Sequence, residues 1–461
     1  MTSAKVTARA AFTGMRPEHI FLVVGAVFGL LFLFVTPPFQ APDEYAHFYR
    51  AFQVSEGGLL AQRHDGLPGA WLPASVLTTA DRAAPGIAFH PEKKERLEDL
   101  LALIEMPLAP ERRSFMGLPS TGRYVPLLYL PQAVAIGVGR LLGLAPILLT
   151  YAGRAGNLAA WLCLGYLALT VAPIIEWPML LLLLTPMSLF EAASLSADAM
   201  TNAVSFLLTA YCLRIAVGET DAISNREWAW LTLLCVMMAL SKQVYLPLAA
   251  LVLWIPARKF GGRRRQIVCL AVTGAATTLA WGAWTLFVAS LHVELLPYTS
   301  VPDQLAFVLH HPGQFLRILL NTLSNQPSNQ LRSFVGVLGW LDTPLPNRFI
   351  KSYYFMLALT ALATGRAEVR VSAGQRLLAA ALAAACVLAL LVASYVSWTR
   401  VGEPIIEGIQ GRYFIPLSPL ACVVLYNRSG AIESRLWGPI VAAYSVFSGL
   451  LAVVVLWQRY W

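Results

Sequence analysis

The sequence predicts an all-α polytopic integral membrane protein with about eleven transmembrane helices, a large first extracytoplasmic loop and helices at the interface. Three observations carry this. The 461-residue chain is 57% hydrophobic and only 13% charged, with a mean hydropathy of +0.62, far too apolar for a soluble globule. Apolar runs near the ~20 residues that span a bilayer recur along its length. Its cations gather in short loops between those runs, as cytoplasmic loops of membrane proteins do, so the net charge of +9 is no nucleic-acid footprint. The six cysteines lie in or beside apolar runs without CxxC pairing and read as packing residues.

The first span is expected at 20–36, behind Lys5, Arg9 and Arg16. No small-residue cleavage motif follows it, so it reads as an uncleaved helix with its N-terminus inside. The first extracytoplasmic loop occupies 37–123 and opens on Pro37, Pro38 and Pro42, which stop the preceding helix. A helix over 42–56 would put Asp43 and His47 on one face. Its Tyr45, Phe48 and Phe52 would form an apolar stripe for the bilayer surface, and Gly57-Gly58 would end it. The mixed-charge stretch Glu92–Asp99 reads as a solvated helix. Residues 124–145, interrupted by Pro126 and Pro131, read as an interfacial helix.

Further spans are expected at about 150–172, 178–192, 199–216, 229–241, 243–257, 266–291, 351–364, 377–397, 413–426 and 437–457. A second extracytoplasmic loop fills 292–350 and carries a Gly-spaced apolar patch, Ser333–Pro344, suited to a flap. This layout puts Arg258, Lys259, Arg263, Arg264, Arg265, Arg366, Arg370, Arg376, Arg428 and Arg435 inside. The expectation is one membrane-embedded domain, 1–461, in a bacterial cytoplasmic membrane with its C-terminus outside.

In that topology the polar residues near span ends converge on the outer face. They are Asp43, Glu44, His47 and Arg50; Arg123 and Tyr124; Arg154 and Asn157; Asp198 and Asn202; Lys242 and Gln243; Trp340 and Asp342; Glu403, Gln410, Arg412 and Tyr413. Ionisable groups at membrane depth are costly and usually line a cavity. Singly, each is also readable as an interfacial anchor, and Asp43 and Glu44 as helix-cap carboxylates. Together they suit transfer from a lipid phosphate: a carboxylate takes a proton from an attacking hydroxyl, and cations steady the departing phosphate. Arginine suits that phosphate best, because its fork binds two oxygens. His310-His311 has no further ligand nearby at metal-binding spacing.

Five stretches resemble the signature of the bacterial predicted-membrane-protein family DUF2142. They are Pro37–Arg50 (PPFQAPDEYAHFYR), Ser194–Asn202 (SLSADAMTN), Ser241–Pro247 (SKQVYLP), Phe334–Asp342 (FVGVLGWLD) and Gln410–Pro416 (QGRYFIP). They fall in order across nearly the whole chain. That family looks like a branch of the GT-C glycosyltransferases, which use polyprenyl-phosphate-linked sugars and carry an acidic motif in the first outer loop. The resemblance implies Asp43 or Glu44 as the catalytic carboxylate, Asp198 as a second acidic site, and Lys242 and Arg412 on the lipid phosphate. Unlike many GT-C enzymes, the chain carries no large C-terminal soluble domain, which leaves acceptor recognition unassigned.

The expected function is therefore inverting sugar transfer from a polyprenyl-phosphate-linked donor to a glycan, lipid or protein acceptor. Asp43 is the favoured base, with His47 or Glu44 assisting and Asp198 orienting the acceptor or a metal. A divalent metal is a candidate cofactor; nucleic acid is not an expected partner. Two other classes stay in view: a flippase for lipid-linked glycans, and a non-catalytic lipid-binding membrane subunit. No internal repeat supports the flippase.

Overall fold

The computed structural model describes residues 15–83, 86–218, 222–294, 296–428 and 436–461. Lys5, Arg9 and Arg435, used above to orient the chain, lie outside them. The described chain is mainly helical. Five helices are long and apolar enough to cross a membrane: Pro17–Val35, Asp198–Val217, Arg263–Phe287, Ala373–Trp398 and Trp437–Tyr460. Helix Pro146–Val171 has 26 residues but carries Arg154 and Asn157.

Several expected spans take other forms, and proline explains most of them. The run 178–192 is two short helices, Glu176–Leu183 and Pro186–Ala192, because Pro186 lacks the N–H that would continue the first. Around Pro247 the chain winds as a 3-10 helix, Gln243–Trp254, and Pro416 sits within another, Gly411–Leu417. The stretch 124–145 opens as a 3-10 turn, Pro126–Tyr129, before helix Leu130–Leu141.

The first loop departs from a purely α reading. Strands Gln62–His64, Leu67–Pro73 and Arg113–Gly117 form an antiparallel sheet in the order of the chain. Helix starts at Leu97 and runs to Ala102, so the charged stretch before it is irregular. The motif helix Glu44–Ser55 does end at Gly57-Gly58, with Gly57 at φ +83° and the Gly58 N–H closing onto the Gln53 carbonyl at 2.9 Å. Two of its three stripe aromatics face protein instead of the bilayer: Phe48 and Phe52 are fully buried in a core with Leu72, Val76, Leu118 and Ile136, while Tyr45 stays exposed. Apolar surface gains the same free energy whichever apolar partner covers it, so the period alone did not identify the partner.

A larger core joins helices Pro17–Val35, Pro146–Val171, Asp198–Val217 and Trp437–Tyr460 around the broken pair 176–192. Residues 178–206 are almost wholly buried there. The Ser333–Pro344 patch is a tight hairpin rather than a free flap. Val337-Leu338 pairs with Thr343-Pro344, Val335 and Leu338 are buried, and Gly339 takes a left-handed φ at the turn.

Candidate functional site

The polar residues singled out above separate into two groups. Glu44, Arg154 and Asn157 form a buried brace. Arg154 grips Glu44 with both arms of its fork, Nε to Oε1 at 2.8 Å and Nη2 to Oε2 at 2.6 Å, and neither side chain has exposed surface. The same guanidinium donates to the carbonyls of Leu33, Thr36 and Pro37 at 2.7–2.9 Å, which pins the end of the first span. Glu44 also accepts the N–H groups of Phe39 (2.8 Å) and Leu195 (3.1 Å). Asn157 donates to the carbonyls of Ser194 (2.8 Å) and Ser196 (3.1 Å), and Gln132 donates to Asn157 at 3.0 Å. Buried charges persist only when paired and fully hydrogen-bonded, and this set meets that condition. Its effect is to fix the turn 194–196 immediately before Asp198. Arg50 is likewise enclosed, donating to Gln53, to the Leu59 carbonyl (2.8 Å) and to the Tyr124 carbonyl (3.0 Å).

The second group is an acid–cation cluster. Asp198 opens helix Asp198–Val217 and is ion-paired with Lys242. Arg412 is buried on the segment Gly411–Leu417, its Nε 4.0 Å from Asp198 and 3.9 Å from Glu191. No hydrogen-bond partner meets that Nε. Asn202, one turn beyond Asp198, donates to the other oxygen of Glu191 at 2.9 Å. Lys242 is boxed by Tyr124 and Tyr413, 5.7 and 5.3 Å from the ring centres. Tyr245 holds the Tyr413 carbonyl at 2.8 Å, and Ser205 holds that of Pro416 at 2.5 Å, so the Arg412 segment is tied to two helical elements.

Asp43 and His47 border this cluster from the start of helix Glu44–Ser55. Asp43 is the residue before that helix and holds a left-handed φ of 58°, a conformation that Asp tolerates better than most residues. It keeps solvent contact, yet the protein around it raises its carboxyl above the ordinary value. Arg412 opposes that shift, Asp198 adds to it and Lys242 opposes it. His47 is buried and bonded to the Tyr129 hydroxyl at 2.8 Å; burial lowers its pKa to about 3, so it is neutral at pH 7.

Two cavities flank the Arg412 segment. One, of about 320 Å³, is lined by Arg123, Tyr124, Lys242, Gln243, three tryptophans and Tyr413. The other, of about 530 Å³, is almost entirely apolar, with Phe334, Leu357, Val387, Ile409, Phe414 and Leu425 on its walls. The chain itself divides them: Gly408 and Tyr413 face the first, Ile409 and Phe414 the second.

The remaining expected residues lie around these features. Trp340 donates to the Phe39 carbonyl at 3.0 Å and stacks on Tyr45 at 6.2 Å, beside Asp43. Asp342 is engaged elsewhere, by Arg459 at 2.9 Å, the Phe89 N–H at 3.0 Å and Thr343. Gln410 is half-buried with an unpartnered side-chain oxygen, and Glu403 is half-buried in its loop. Among the described residues no three His, Cys, Asp or Glu side chains converge in a way that would hold a metal ion, so the residues present do not fit one. Glu191 was not anticipated. Its signal was available: one carboxylate inside the apolar run Leu180–Ala193.

Fold and site together define a polytopic helical membrane protein with a protected acid–cation cluster between an apolar groove and a cavity of mixed aromatic and polar lining. The chain belongs to the family described as "Predicted membrane protein (DUF2142)", whose sequence model matches residues 26–421. Among solved structures, it is similar to the crystal structure of ArnT from Cupriavidus metallidurans bound to undecaprenyl phosphate. That likeness has a TM-score of 0.39 and 13% identity, and covers 88% of this chain and 59% of that one. The chain thus spans about three fifths of ArnT's length. No curated protein sequence matches it.

Proposed function

We propose that the protein is a membrane glycosyltransferase that moves a sugar from a polyprenyl-phosphate-linked donor to a cell-envelope acceptor at the extracytoplasmic face. The observation that carries this reading is Arg412. A buried guanidinium with an unpartnered Nε, no closer than 3.9 Å to a carboxylate in its ion pairs, suits an incoming phosphate. The apolar groove on one side of its segment suits a lipid tail, and the cavity on the other, lined by tryptophans and a few polar groups, suits sugars.

In the proposed step an acceptor hydroxyl oxygen attacks the anomeric carbon, and the bond from that carbon to the phosphate oxygen breaks. The polyprenyl phosphate leaves with the electron pair, steadied by Arg412 and Lys242. Asp43 takes the hydroxyl proton; its raised pKa makes it a stronger base than an ordinary carboxylate. Attack opposite the leaving phosphate inverts the anomeric centre. Asp198 holds Lys242 in place, and neutral His47 is itself held by the Tyr129 hydroxyl. Glu44 has a bracing role, because both its oxygens are committed to Arg154 and backbone N–H groups.

The test is transfer from a panel of radiolabelled polyprenyl-phosphate sugars by purified protein, with membrane extract as acceptor, with and without chelator. Labelled product from one donor is expected, in both conditions. Passage of lipid-linked glycan across vesicles without transfer would replace this reading with a flippase.

A further inference from the structure

We infer that the cavity beside Lys242 is an acceptor subsite for a carboxylated saccharide, an assignment that rests on the glycosyltransferase reading above. Its volume, about 320 Å³, falls in the range of small-ligand sites. Trp281, Trp284 and Trp398 contribute to its wall, and flat aromatic faces pack the C–H faces of sugar rings while leaving the hydroxyls free. The Trp281 indole N–H is buried without an acceptor, a donor that a sugar oxygen would satisfy.

The charge of the ligand follows from Arg123. This half-buried guanidinium has no carboxylate within 4.0 Å among the described residues, and its Nε is buried and unpartnered. Its Nη1 lies 2.9 Å from Nδ1 of His292. Arginine only donates, so Nδ1 accepts, His292 is uncharged, and its other nitrogen carries the proton. The pair therefore presents N–H groups to the cavity and supplies no counter-ion. Glu294 is the one acid among the described lining residues, and it is not within ion-pair distance of Arg123; it suits a sugar hydroxyl. A carboxylate on the saccharide would complete the Arg123 site.

The cavity is separate from the lipid groove. Segment 408–414 stands between them, and its Arg412 belongs to neither lining set. Val288, His292, Val293, Thr299 and Val301 also line this cavity and none of them lines the groove, so a saccharide reaches the cluster from the other side of segment 408–414 to the lipid tail.

The test uses the full chain in lipid nanodiscs and intrinsic tryptophan fluorescence. Tetragalacturonate is titrated beside the same tetrasaccharide with its carboxyl groups reduced, and polyprenyl-phosphate binding is measured in parallel by native mass spectrometry. Wild type is expected to bind the acidic form at least about tenfold more tightly. Arg123→Gln should bring the two forms within about twofold while lipid binding is unchanged. A preference retained in Arg123→Gln overturns the inference. So does wild type that binds the lipid but prefers neither tetrasaccharide; that result leaves the glycosyltransferase reading standing. Acidic-saccharide binding without any polyprenyl-phosphate binding overturns the acceptor role together with the reading beneath it.

Discussion

Asp43 and Glu44 are neighbours with the same chemistry, and their surroundings give them opposite parts. Glu44 is sealed against Arg154 and two backbone N–H groups, while Asp43 stays open to solvent beside Arg412, Lys242 and Asp198. Removing one partner of a buried pair strands the other, so Glu44→Gln should destabilise the protein by roughly 3–5 kcal/mol. A large drop in melting temperature in detergent is the expected readout. His47 adds a pH dependence. Its folded pKa of about 3 lies below the unfolded value of 6.5, so between those pH values the unfolded chain binds a proton that the native site refuses. Stability contributed by neutral His47 is present above pH 6.5 and is lost as pH falls, by about 1.4 kcal/mol per unit well inside that window. Thermal melts of His47→Gln should show a flatter acid limb than wild type, whatever other groups titrate. The sequence placed both carboxylates and the histidine at an outer surface but did not distinguish them. The deciding contacts to Glu44 come from Arg154 and Leu195, more than a hundred residues away.

The elements were legible to different depths. Long apolar helices such as Ala373–Trp398 followed directly from hydropathy. Short strands did not: Gln62–His64 has three residues, and Leu67–Pro73, the central strand of its sheet, contains both Pro68 and Gly69, residues that argue against a central strand. The broken pair Glu176–Leu183 and Pro186–Ala192 reads as one apolar run, yet its break is what turns Glu191 toward Asn202 and Arg412. The Arg412 segment offers the clearest test at this scale. Gly411 packs so closely on helix Pro327–Gly336 that an added Cβ would lie 2.1 Å from the Gln330 carbonyl oxygen and 2.2 Å from the Phe334 nitrogen. Gly411→Ala must therefore push the segment away. Lipid binding and transfer should fall by about tenfold or more, with insertion into the membrane unchanged.

Across the whole molecule the loop 37–123, the turn before Asp198, Lys242 and Gly411–Leu417 meet at one place, although they are spread over most of the chain. That convergence was expected from the placement of charges relative to spans, even though several spans took other forms. The brace at Arg154 accounts for it physically, because it ties helix Pro17–Val35, helix Glu44–Ser55 and the Ser194–Ser196 turn together. If the cluster holds a lipid phosphate, Arg412→Gln removes charged hydrogen bonds worth about 1.5–3 kcal/mol, and polyprenyl-phosphate affinity should fall roughly 10- to 150-fold. The central claim concerns Asp43, and transfer by Asp43→Asn tests it most directly. With labelled polyprenyl-phosphate sugar and protein matched for folding and insertion, the account predicts a loss of at least about a hundredfold relative to wild type. Transfer by Asp43→Asn at the wild-type rate would contradict it.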